Sequence, residues 1–129
     1  MAILKDFPQF NKVDNLLYPI DSGSIIADAV NQVVKTLDVN EIWLVRCFSL
    51  RSTGALSIKI EDDQRDGRNW FSDIFISKDN LAVGNGAYRV NLDEYIIVHP
   101  GAQIVASFQD DSSSANDASI LLIGKKLKK

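Results

Sequence analysis

The sequence predicts an all-β fold, an antiparallel sandwich or barrel, on three observations. Apolar residues recur with a period of two along most of the chain, as in Leu56, Ile58 and Ile60 against Ser57, Lys59 and Glu61. Turn-forming residues interrupt these runs at intervals of about ten residues, giving six or seven short strands. The chain has 129 residues, 46% of them hydrophobic, which is enough for one core and too little for two.

Taken in order, residues 1–20 contain Pro8, Pro19 and the aromatics Phe7, Phe10 and Tyr18 without a steady period. They read as an extended N-terminal arm lying on its own domain or on a neighbour, with residues 21–129 forming a single β-sandwich domain. Phe7, Phe10, Leu16, Leu17 and Tyr18 are the arm's candidate partner-binding anchors. Residues 24–37 allow two readings. Ile26, Ala29, Val30, Val33, Val34 and Leu37 have helical spacing, with Ser24 as a possible cap, yet four of the six are β-branched. Strands are preferred, the second running from Gln32 to Leu37 into a turn at Asp38-Val39-Asn40.

Glu41–Leu50 is apolar on both faces, with Trp43, Val45 and Cys47 opposing Ile42, Leu44 and Phe48, and predicts a central strand. Arg51–Gly54 is a short linker suited to a tight hairpin, which would make Ala55–Glu61 the next neighbour in the same sheet. Trp70–Ser77, Ala87–Leu92, Glu94–Val98, Gln103–Gln109 and Ala118–Gly124 read as further strands. Lys78–Gly86, Pro100-Gly101 and Asp110–Asp117 read as the turns between them.

Chemistry-bearing residues are sparse. The single Cys47 excludes an internal disulfide and a cysteine zinc cluster, and the single His99 excludes a two-histidine acid/base pair. A Cys47–His99 dyad would need an orienting carboxylate as well. The three serines Ser112–Ser114 lie in no nucleophile elbow, and Gly84-Asn85-Gly86 lacks the strand-to-helix setting of a phosphate loop. The expectation is therefore a protein that is not an enzyme and takes no cofactor. Asp62, Gln64, Asp66, Gly67 and Asp73 follow part of the calcium-loop template, so Asp62, Asp66 and Asp73 are candidate metal ligands, but Gln64 is neutral, Asp73 is shorter than the usual Glu and strands flank the loop, so a solvated acidic hairpin loop is the preferred reading. Trp70, Tyr88 and Tyr95 are candidates for stacking on sugar rings.

Charge is uneven. Lys125, Lys126, Lys128 and Lys129 hold four of fourteen positive charges, leaving ten against seventeen acids, a body of −7. Such a body repels phosphate backbones, so no nucleic-acid partner is expected. The tail reads as a frayed, solubilising terminus or as a contact for an acidic surface. Lys5 and Asp6 stand where a signal peptide needs apolar residues, and the longest uncharged run, Tyr95–Gln109, is too short for a bilayer; no membrane association is expected.

Several stretches together resemble the small jelly-roll structural proteins of tailed-bacteriophage virions. They are Asp38–Val45 with its Glu41-x-Trp43 entry, Leu56–Asp62, Glu94–Ile104 with its Pro100-Gly101 turn, and Ser119–Lys126 with its Gly124-Lys125 ending. The likeness spans roughly residues 24–126 and carries no active-site residues. It implies an antiparallel β-sandwich of jelly-roll type, a capsid decoration or cement role on the head shell, and location in a virion assembled in the host cytoplasm. It further implies the major capsid protein or other virion proteins as partners and a homo-oligomer, a trimer above other states. The alternative it leaves is a carbohydrate-binding or host-binding jelly-roll module of a tail or spike.

Overall fold

The computed structural model of the chain describes residues 7–64, 69–72, 74–81 and 89–129. Their strands are β1 (Lys12–Ile25), β2 (Val30–Thr36), β3 (Glu41–Ser52), β4 (Leu56–Asp62), β5 (Ile76–Ser77), β6 (Arg89–Val98), β7 (Gln103–Asp110) and β8 (Asn116–Lys128). A single helical turn, α1 (Lys78–Leu81), follows β5. The strands form two antiparallel four-stranded sheets, ordered β1-β8-β3-β6 and β2-β7-β4-β5. Successive strands change sheet at every step except β4 to β5, and the first and last strands lie side by side. That nesting is the jelly roll. The expected all-β sandwich is the fold observed.

Between the sheets, Leu16, Ile20, Trp43, Val45, Phe48, Leu50, Ile120 and Leu122 meet Ile58, Ile60, Ile104, Ala106 and Phe108 in one buried cluster. Alternation places these residues inward, and removing them from water is the main stabilising term of the fold. Residues 24–37 are strands, with β1 and β2 joined at Ile26–Ala29. Burial alternates along β2, as its place at the edge of a sheet with one wet face requires.

Six sequence expectations change. β3 and β4 are not a hairpin; they sit in opposite sheets, and the chain turns a corner between them. Asn116 pins that corner: its Oδ1 accepts from Thr53 Oγ1 and Gly54 N, both at 3.1 Å, and its Nδ2 donates to Ala55 O at 3.0 Å. Within β3 the alternation slips once. Val45 pairs with Gly124 and Cys47 with Ile123, so Arg46 is the extra residue of a β-bulge. Phe48 then joins Trp43 and Val45 in the core, while Cys47 lines a groove on the outer face.

Of Trp70–Ser77, only Ile76–Ser77 is strand, paired with β4. Trp70 and Phe71 pack into and against the core instead, Phe71 stacking on Phe48 at 5.9 Å between centroids. Glu94–Val98 and the described end of Ala87–Leu92 form the single strand β6. The expected turn at Asn85-Gly86 lies outside the described residues.

The lysine-rich end does not fray. Lys125–Lys128 continue β8 between β1 and β3, with Leu127 buried and Lys128 Nζ 3.2 Å from Asp14 Oδ2. Nor does the N-terminal segment stand apart over its described length. Lys12–Ile20 pairs with Ile120–Lys128 as part of β1, and Phe7 and Phe10 fold over Ile42, Leu44, Ile97 and Leu127. These last four residues lie on the outward-facing side of their sheet, so the segment closes one end of that face.

Candidate functional site: the outer face of the β1-β8-β3-β6 sheet

The register fixes what this face displays. One row runs Leu17 (β1), Ile123 (β8), Cys47 (β3), Asn91 (β6); the next runs Pro19, Leu121, Ser49, Arg89. Leu17 is 65% exposed, and Leu121 and Ile123 are half-buried beside it. An apolar stripe therefore crosses β1 and β8 just past the area that Phe7 and Phe10 cover.

The stripe runs into a groove of about 300 Å³ at the β3 bulge, lined by Arg46, Cys47, Arg89, Asn91, Leu92, Tyr95, Ile123, Gly124 and Lys125. Arg89 donates from Nη2 to Cys47 Sγ at 3.2 Å, and Lys125 Nζ donates to Asn15 Oδ1 at 2.9 Å. Gly124 is required here. A Cβ at that position would overlap the Leu44 carbonyl oxygen and stand 2.9 Å from the Leu44 carbonyl carbon, because the bulged strand approaches so closely.

The sequence-derived arm anchors divide. Phe10 and Leu16 are buried within the protein, Tyr18 packs on Trp43 at 4.9 Å between centroids, and Phe7 lies edge-on to Phe10. Only Leu17 faces outward. Among the sugar-stacking candidates, Trp70 is buried at 6% exposure, Tyr95 is exposed and lines the groove, and Tyr88 lies outside the described residues. Of the metal candidates, Asp66 and Asp73 lie outside the described residues. Asp62 is buried at the end of β4, where its Oδ1 accepts from Gln64 N at 3.0 Å and its Oδ2 has no partner among the described residues. Among the described residues no group of three His, Cys, Asp or Glu side chains is placed to hold a metal ion.

Cys47 and His99 do not meet. Val98 pairs with Trp43, so His99 lies about five residues of β3 away from Cys47, roughly 17 Å at strand rise. The His99 ring instead sits 6.0 Å from that of Phe7.

A polar corner that the sequence marks only as a turn lies at the opposite end of the sandwich from His99. Buried Asp110 accepts from Ser112 Oγ at 2.6 Å, Ser112 N at 3.0 Å, Asp28 N at 2.8 Å and Asn116 Nδ2 at 3.1 Å. The Ser112 hydroxyl and then the Asp28 amide hold its carboxyl well below the usual carboxylate range, against the upward push of burial. Asp28 and Ser113, joined by Ser113 Oγ donating to Asp28 Oδ1 at 3.1 Å, both lie in left-handed backbone, at φ 62° and 61°.

No protein-family model and no curated protein sequence matches the chain. Solved structures share its outline. A chain of the cyanophage Pam1 capsid asymmetric unit is 12% identical with a TM-score of 0.48, over 92% of this chain and 86% of that one. A chain from the acid-stable capsid of Helicobacter pylori bacteriophage KHP30 is 14% identical with a TM-score of 0.42, over 92% and 100%. The Yersinia pseudotuberculosis-derived mitogen is 13% identical with a TM-score of 0.37, over 87% and 85%. At these values the likenesses carry no functional inference. No helix among the described residues is long and apolar enough to cross a membrane.

Proposed function

We propose that this protein is a virion structural protein of a tailed bacteriophage, decorating the head shell through the outer face of its β1-β8-β3-β6 sheet and acting without catalysis. The observation that carries the reading is the apolar stripe on that face. Leu17 stands 65% exposed on a strand whose alternate residues, Leu16 and Ile20, are fully packed. A rigid sheet face that keeps such a stripe open, rimmed by charge, suits a protein partner. The jelly-roll strand order accords with the virion family that the sequence resembles, and several copies per particle would add avidity to a modest single contact.

Co-sedimentation of the purified protein with phage heads that lack it tests this. Leu17→Asp changes an exposed residue and leaves the core intact, so it should fold as the parent does and lose at least tenfold in head binding. Unchanged binding by that variant would overturn the assignment of the face. A glycan-array signal abolished by Tyr95→Ala would replace shell binding with sugar binding.

A further inference from the structure

We propose that the groove at the β3 bulge is a carboxylate-binding site whose occupant is an acidic, partly apolar segment of a partner polypeptide laid along β8 and β1. This deepens the shell-binding reading and rests on it for the partner being a protein.

The charge is the first ground. Arg46, Arg89 and Lys125 converge on one concavity of about 300 Å³. Among the described residues no carboxylate pairs with any of the three; the ion pairs there are Lys59–Glu61 and Lys128–Asp14. On β6, Asp93 and Glu94 stand between the groove residues Leu92 and Tyr95, and neither forms an ion pair with the three cations. Elsewhere on the same sheet the arrangement differs, since Arg51 shares its cavity with Asp21 and Asp117. Among the described residues three cations thus stand together with no ion-pair partner, in a chain of net charge −3. Like charges held close repel one another, and an anion from outside relieves that repulsion.

Guanidinium forks match carboxylates in two parallel hydrogen bonds, which favours that anion over a point-like one. A nucleic-acid backbone would meet the acidic body around the groove and is disfavoured. A small sugar acid would fill the groove and leave the stripe bare. A polypeptide covers both, because Ile123 belongs to the groove wall and to the row that leads to Leu17. Among the described residues the outer edge of β1 is also unpaired within the sheet, so an extended segment can hydrogen-bond along it.

The test uses the full chain and a peptide probe, (Glu-Leu)4, in isothermal titration at low and at moderate salt. Binding should be measurable, weaken with salt, and fall at least tenfold in Arg46→Glu/Arg89→Glu, a variant whose thermal unfolding should match the parent's because both side chains are exposed. Equal binding of (Lys-Leu)4, equal binding of free glucuronate, or unchanged affinity in the double variant would each overturn the proposal. Head co-sedimentation separates it from its parent reading. If Leu17→Asp abolishes head binding and the double variant does not, the groove proposal fails and shell binding stands. If the peptide result holds but the parent protein binds no heads, the shell reading fails and the carboxylate site stands.

Discussion

Phe10→Ala separates a self-covering N-terminal segment from an arm that waits for a partner. Phe10 is 3% exposed and closes a small cluster with Ile42, Leu44 and Leu127. Full burial of a phenylalanine contributes up to about 3 kcal/mol. Its edge-on contact with Phe7, at 6.1 Å and 87°, adds about 1 kcal/mol. The Lys129 ammonium 5.3 Å from the ring adds roughly 0.5 kcal/mol at an exposed position. Large-to-small changes in cores cost about 3–5 kcal/mol for phenylalanine. The lower end fits here, because a cluster on an outer face can partly collapse, so about 3 kcal/mol is expected. For 129 residues the unfolding entropy is about 0.27 kcal/mol/K, which converts that loss to about 11 °C in Tm. Urea and thermal unfolding, followed by tryptophan fluorescence, measure both quantities. A second variant, Phe7→Ala, closes a double-mutant cycle with an expected coupling of about 1 kcal/mol. If Phe10→Ala unfolded within about 0.5 kcal/mol of the parent and lost head binding instead, the segment would be a docking arm and the placement of Phe10 described above would be refuted.

Three other substitutions probe the bulge and the polar corner. Gly124→Ala forces a methyl group into the Leu44 carbonyl and should cost about 3 kcal/mol or more, whereas Gly23→Ala, in open space at φ +68°, should cost only about 1 kcal/mol of backbone strain; equal urea midpoints for the two would refute the β3–β8 register. The Asp110 carboxyl titrates lower in the folded chain than its unfolded value of about 3.9, so its contribution is complete above about pH 4 and is lost as pH falls through the folded value. Asp110→Asn should therefore be less stable than the parent at pH 7, with the gap narrowing below about pH 4; a gap that stays constant from pH 7 to pH 2 would refute the linkage.

Much of the fold was legible because alternation is a local signal. Leu56–Ile60 and Gln103–Phe108 show it plainly, and both are strands with one face in the core. What stayed hidden was pairing. Sequence proximity and a glycine made Arg51–Gly54 look like a hairpin, yet the residue that turns the corner, Asn116, comes more than sixty positions later. Trp70 and Phe71 have strand-favouring side chains, and the same apolar character serves to plug the end of a sandwich. The Lys125–Lys128 stretch looks solvated until Leu127 is seen to fall on the partner of Ile42 and Val13. The candidate site was less legible still. Of its three cations, Arg46 and Arg89 are 43 positions apart, and only the β3–β6 register brings them to one groove.

The bulge at Arg46 ties the fold to that groove. A regular strand through Trp43 and Val45 would put Cys47 inward and Phe48 outward, sacrificing one of the largest side chains in the core. One inserted residue restores the phase, and the residue inserted must accept solvent on the outer face. The fold demands a polar side chain there and a glycine opposite, at 124, where the strands close up. It does not demand a cation, and a serine at 46 would serve the backbone as well. Nor does it demand that the other two groove residues, Arg89 and Lys125, be basic, when like charges held close repel one another. Charges that the fold does not require, and that repel one another as placed, accord with an anionic partner at the groove.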